Sequence, residues 1–374
     1  MLDPRMTRLA DLLVNYSTTI QPGEHLLIEI FDAPEEMAVA LVKAARKAGG
    51  HPHVALRGNR VMRALVDDAD EENLKVWADY DLHRMKQMQA YIGLRGAANV
   101  SEMSGIADDQ MKRWGRLYQK PVHFDQRVEH TKWCVLRWPT PSMAQLAQVN
   151  SDAFEDFYFN VCTLDYAKMA QAAEKLAERM RKTDKVHIKG PGDTDITFSI
   201  KGIPIVPCCG QMNIPDGECF TAPVRDSING VIHFNTPTIF NGISFENVRL
   251  QFKDGKVINA TADQNAEKIN PILDTDEGGR YVGEFAIGFN PYVLNAMKDI
   301  LFDEKIAGSL HLTPGRAYEE AHNGNESEIH WDLVLIQRPE YGGGTIAFDG
   351  EVVRKDGLFI TDELKALNPD ALKA

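Results

Sequence analysis

The pattern of apolar residues changes kind near Thr183–Lys185, and that change limits what this chain can fold into. Before it, short β-branched runs alternate with helical patterns. Residues 25–31 (HLLIEIF) read as a strand. Asp32, Pro34, Glu35 and Glu36 then supply a cap-like residue, a first-turn proline and acids suited to a helix N-terminus. Ala38, Leu41, Val42, Ala45 and Ala48 recur at helical spacing until Gly49-Gly50. Further strands are expected at 51–57, 89–95 and 131–138, with helices over 70–88, 106–118, 142–160 and 165–182. This alternation predicts an α/β domain over residues 1–184, a parallel sheet with flanking helices.

Beyond that point strand-like pieces are short and separated by Gly, Pro, Asn and Asp. They fall at 186–189, 195–200, 229–234, 243–252, 256–262, 281–288, 306–312, 330–336 and 351–360. Asp254-Gly255 is a hairpin signal, and one helix is expected near 264–274. The prediction is an α+β domain with a largely antiparallel sheet over residues 185–374. A chain of 374 residues accommodates two domains of roughly 150 residues or more.

Charge narrows the partners. Lys and Arg number 41 against 54 Asp and Glu, a net charge of −13. So acidic a surface repels phosphate backbones and anionic lipid, which argues against nucleic-acid and membrane partners. No apolar run approaches the ~20 residues of a membrane span. The amino terminus, with Asp3, Arg5 and Arg8, lacks a signal-peptide layout, so a cytoplasmic location is expected. Cys134, Cys162, Cys208, Cys209 and Cys219 form no CxxC pair and read as free, mostly buried thiols.

The chemistry-bearing residues gather in the second half. His330 and Asp332, in the apolar stretch IHWDLVLI, would share one face of a strand. An imidazole and a carboxylate on such a strand need partners, and a divalent cation satisfies both. His311 ends an apolar run before Pro314-Gly315, a setting that suits a residue held at a sheet edge. Tyr318, seven residues on, lies where a loop could return its hydroxyl to that imidazole. Glu284 and Glu218 stand in apolar, glycine-bounded contexts, where either a cation or Arg225 and Arg280 would be their partners. Taken alone, Glu304 reads as a solvated acid and His322 as a loop histidine. A set of carboxylates and imidazoles without thiolate favours zinc, cobalt, manganese or ferrous iron. The surplus of carboxylates suggests two ions with a bridging acid.

Several motifs resemble peptidase family M29, the thermophilic metallo-aminopeptidases. They are Ile214-Pro215-Asp216-Gly217-Glu218-Cys219-Phe220-Thr221-Ala222-Pro223, Gly283-Glu284-Phe285-Ala286-Ile287-Gly288, the Asp303-Glu304 to His311 segment, Gly315-Arg316-Ala317-Tyr318 and His330-Trp331-Asp332. The resemblance implies a homodimeric, two-domain aminopeptidase acting on peptide substrates through two divalent metal ions (zinc, cobalt or manganese). It implies Glu218, Glu284, Glu304, His311, His330 and Asp332 as metal ligands. Glu218 or Glu284 would take the proton of the attacking water, and Tyr318 would be the active-site tyrosine. The stretch from Glu304 to His311 is longer than in many members, and that from Tyr318 to His330 is shorter. Two other readings compete. Ring-cleaving dioxygenases of hydroxypyridine breakdown resemble this fold and would use His311, His330 and Asp332 around one ferrous ion. A metal-stabilised binding protein would ligate its ion fully. The presence of Glu218, Glu284 and Tyr318 favours the hydrolase.

Overall fold

The computed structural model describes residues 3–373 and divides into two compact units. One comprises residues 1–163 with 210–214, the other residues 164–209 with 215–374. The first unit therefore ends one helix earlier than the expected change at 184. The helix Tyr166–Arg181 buries Ala173 and Ala177 within the second unit, where the Cys219 thiol lies 3.5 Å from the Ala173 carbonyl. Among the described residues no helix is long and apolar enough to cross a membrane.

In the first unit the strands His51–Arg57, His25–Phe31, Ala90–Arg95, Lys132–Arg137 and Asn213–Ile214 lie side by side in that order, all parallel. The last is too short to show in the sequence pattern and comes from the distant 210–214 segment. The helix Glu35–Lys47 opens on Glu35 and Glu36 and closes on Arg46 and Lys47, charges that complement its dipole. Asp32 does not cap it: its φ is +41° and its carboxylate accepts the Asn59 amide at 3.0 Å. The expected helix at 142–160 is two, Pro141–Leu146 and Ser151–Cys162. The one at 106–118 is Asp108–Trp114, running on into wider turns over Gly115–Val128 that accommodate Pro121.

Two large antiparallel sheets, with a two-stranded pair of Thr238–Phe240 and Ile243–Phe245, build the second unit. The larger runs Lys256–Thr261, Arg249–Lys253, Asn229–His233, Asp195–Ser199, Lys185–Lys189, Thr345–Phe348, Glu351–Lys355, Leu358–Phe359. Its first hairpin turns at Asp254 (φ +48°) and Gly255 (φ +80°), as the dipeptide predicts. The smaller sheet runs Leu333–Ile336, Ser309–Pro314, Val282–Gly288, Glu218–Thr221, Val206–Cys208. The expected helix at 264–274 is Ala266–Leu273.

The two sheets face each other across an apolar core. Phe198 of the larger meets Phe285 of the smaller edge to face, with ring centroids 5.0 Å apart. Arg354 and Gln337 carry polar contacts between them. Arg354, fully buried on Glu351–Lys355, donates to the Ser309 carbonyl (2.7 Å) and to Gln337 Oε1 (3.0 Å). Gln337 Nε2 in turn donates to the Lys189 carbonyl at 2.8 Å. All five cysteines are free, four buried and Cys208 partly exposed. Phe285→Ala should leave a cavity between the sheets and cost about 3–5 kcal/mol, read as a lower denaturant midpoint.

Candidate metal centre

Side chains alternate across the smaller sheet. Phe285, Ile287, Leu310, Leu312, Leu333 and Leu335 turn to the apolar core, leaving Glu218, Glu284, His311 and Thr313 on the opposite face. Register brings these together, with Glu284 opposite Thr313, Ala286 opposite His311, and Gly288 opposite Glu218. His311 therefore sits on an interior strand, not at an edge as expected. The expected strand at 330–336 is regular only from Leu333. His330 is held instead by a lone bridge to Gly315 and by its Nδ1, 2.8 Å from the Arg316 carbonyl. Gly315 (φ +110°) has no room for a side chain, since a β-carbon there would come within 2.1 Å of the Ile329 carbonyl oxygen.

The six expected ligand residues converge. Glu284 Oε1 lies 3.2 Å from His311 Nε2, and its Oε2 lies 3.3 Å from His330 Nε2. That same nitrogen is 3.2 Å from Asp332 Oδ1, which also accepts the Thr313 hydroxyl at 2.6 Å. His311 Nδ1 faces Glu218 Oε2 at 3.8 Å. The tyrosine arrives differently from the expectation: Tyr318 lies against the His330 ring, centroids 4.6 Å apart, and is half exposed. Arg225 and Arg280 are not partners of the buried acids. The first bonds Asn325 and Glu277, the second Asp274. His322 pairs with Glu326 at the surface, outside this cluster.

The residue that sequence reading missed is Lys305. Its ammonium is buried, 2.5 Å from Glu218 Oε1, 2.7 Å from Glu304 Oε1 and 3.4 Å from Asp216 Oδ1. In the run Asp303-Glu304-Lys305 nothing local distinguishes it from a surface lysine. Gly288 brings it in, because the Glu304 and Ile306 carbonyls approach to where a β-carbon would meet them at 2.8 Å. Glu304, read alone as a surface acid, is thereby drawn beside the ammonium.

The electrostatics indicate a cluster short of positive charge. Burial pushes the Glu218 carboxyl up to about 8, against the pull of Lys305. Burial works against a charged His311, yet its hydrogen bond to Glu284 and the charge of Glu218 hold the imidazole at about 9. Likewise Asp332 and Glu284 outweigh burial and hold His330 at about 11. Without an ion, both rings keep protons at neutral pH. Of the fourteen buried side-chain atoms without a hydrogen bond among the described residues, three lie here: Glu218 Oε2, His311 Nδ1 and His330 Nε2. All three are oxygen or nitrogen donors suited to a divalent cation. The residues fit the metal.

These shifts set a pH dependence for the metal-free chain. An imidazole raised from 6.5 to about 9 stabilises the fold below pH 6.5 and loses that contribution as pH climbs through 9. A carboxyl raised from 4.5 to about 8 acts in the same direction, its penalty growing as it ionises. In chelator, thermal unfolding temperature should fall between pH 6.5 and 9, and saturating divalent ion should flatten the fall. A chelated protein that grows more stable over that range would contradict the assignment.

Known proteins place the chain. A sequence profile of the thermophilic metalloprotease family M29 matches residues 2–358. Aminopeptidase AmpS of Bacillus subtilis is 31% identical over 88% of each chain. Aminopeptidase 2 of Geobacillus stearothermophilus is 26% identical over 95% of each. The solved structure of AmpT from Thermus thermophilus superposes with a TM-score of 0.79 over 96% of this chain and 99% of that one, at 20% identity. The 2,5-dihydroxypyridine dioxygenase of Pseudomonas putida KT2440 shares the fold at a TM-score of 0.61 and 11% identity, over 96% of this chain and 98% of its own. With its profile match running over nearly the whole length, the chain belongs to the M29 family of metallopeptidases, which are hydrolases that work with divalent metal.

Proposed function

We propose that this protein is an aminopeptidase that removes N-terminal residues from peptides by metal-assisted hydrolysis. The observation that carries the proposal is the convergence of Glu218, His311 and His330, each with a buried donor atom that makes no hydrogen bond, on one wall beside a half-exposed tyrosine. Glu284, His311, His330 and Asp332 would hold the ion. When bound, a divalent ion lowers the pKa of a water and polarises a scissile carbonyl.

The chain's own residues supply the rest. Glu218 has one oxygen tied to Lys305 and the other without a hydrogen bond, so it is placed to accept a proton at Oε2 and return it to the leaving amine. Glu284 is the poorer base, since both its oxygens already face imidazoles. Thr313 fixes Asp332 by its hydroxyl. Although the side chain is half exposed, desolvation on its inner side and the surrounding carboxylates, Glu284 and Asp332 first, hold the Tyr318 phenol above its usual range, so it is a donor throughout neutral pH. Its position against His330 suits a hydrogen bond to the oxyanion of a tetrahedral intermediate.

Zinc, cobalt or manganese as the resident ion, a homodimeric state and a cytoplasmic location belong to the same reading. The relatives named as aminopeptidases support it over the dioxygenase. The likeness to the dioxygenase is one of fold, and fold alone carries no chemistry.

A panel of chromogenic aminoacyl substrates with zinc, cobalt or manganese should show turnover. His330→Ala and Asp332→Ala should abolish both turnover and bound metal, the latter by elemental analysis. Oxygen uptake with a dihydroxypyridine and ferrous iron, and silence across the panel, would favour the dioxygenase instead. Tyr318→Phe should keep its metal and lose about 10²–10³-fold in kcat, the usual cost of one oxyanion donor.

A further inference from the structure

The cluster has two halves, and one already contains a cation. Glu284, His311, His330 and Asp332 face one another through atoms 3.2–3.3 Å apart, with no ammonium or guanidinium among them. Glu218, Glu304 and Asp216 instead surround Lys305 Nζ at 2.5, 2.7 and 3.4 Å. A lysine ammonium has three N–H donors, and here three carboxylates lie within 3.4 Å of it, that of Glu218 accepting a hydrogen bond.

That ammonium is not free to swing aside. Lys305 is buried, and its carbonyl accepts the Asn290 amide at 2.9 Å. Asn290 Nδ2 in turn donates to the Asp216 carbonyl at 2.7 Å, so the lysine and one of its acids are clamped through a shared asparagine. Gly288 closes the other side, its missing β-carbon letting the Glu304 carbonyl come close. A divalent ion between Glu218 and Glu304 would meet a fixed positive charge within bonding distance of the same oxygens, a strongly repulsive arrangement in a buried setting.

We infer that Lys305 is the resident cation of the Glu218–Glu304 half, so that the protein takes up one tight divalent ion per chain, at the imidazole half, where the family resemblance implies two. Glu218 and Glu304 are then carboxylates anchored by an ammonium. The inference rests on the metallo-aminopeptidase reading for the first ion alone.

Metal content after saturation with zinc or cobalt and desalting tests it. The native protein should retain about one equivalent. Its cobalt form should give the full spin-integrated electron paramagnetic resonance signal of an isolated ion. Lys305→Met leaves three buried acids without their cation, so the variant should retain about two equivalents and show a larger rise in melting temperature with added ion than the native chain. Glu304→Gln should leave the native count at one. Two tight equivalents or a spin-coupled cobalt pair in the native protein would overturn the inference while leaving the peptidase reading intact, and so would a folded Lys305→Met that still holds one. If that variant does not fold, the native count and spin state decide. No retained metal at all would overturn both readings.

Discussion

Buried negative charge is the constraint around which the second unit is arranged. Glu218, Glu284, Asp216 and most of Glu304 and Asp332 are withdrawn from water on one face of a five-stranded sheet. Each such ion costs several kcal/mol unless it is answered by opposite charge or good hydrogen bonds. The answers include two imidazoles, one ammonium, one threonine hydroxyl and the Gly217 amide. The hydrophobic side of the same sheet makes this tolerable. Phe285, Ile287, Leu310 and Leu312 fill the space between the sheets, so the strands stay where their other faces are strained by charge. Alternation of side chains thus couples core and chemistry in one element.

How much of this is legible in the sequence depends on the range of the cause. The parallel sheet with its crossover helices follows from periodicity within windows of a dozen residues, and so does the Asp254-Gly255 hairpin. Glu284, His330 and Asp332 stand out because polar groups interrupt apolar runs. Strands of two to four residues, such as Glu218–Thr221 and Val206–Cys208, are too short to show alternation and are fixed by their neighbours in the sheet. Lys305 illustrates the limit. Its burial is decided by Gly288, Asn290 and Asp216, far from it along the chain and silent about it locally. Tyr318 shows a milder version: its presence near the site is legible, but the ring it meets is His330 rather than His311.

The shared architecture with a dioxygenase bears on how function is read from such a wall. A protein named as a dioxygenase shares this fold, so the strands alone do not choose the chemistry. In this chain the wall carries a carboxylate bonded through one oxygen to a buried ammonium, and a half-exposed phenol against an imidazole. On the proposed reading these groups would handle a proton and an oxyanion, which matters to hydrolysis more than to ring cleavage.

Arg354 ties the wall to the other sheet. The carbonyl of Ser309, two residues before His311, is held by a guanidinium on the strand Glu351–Lys355. Without that strand the wall keeps Glu284, His311 and His330 but loses the brace on the strand bearing His311. The position of an imidazole on one sheet thus leans on a side chain of the other, 45 residues beyond Ser309.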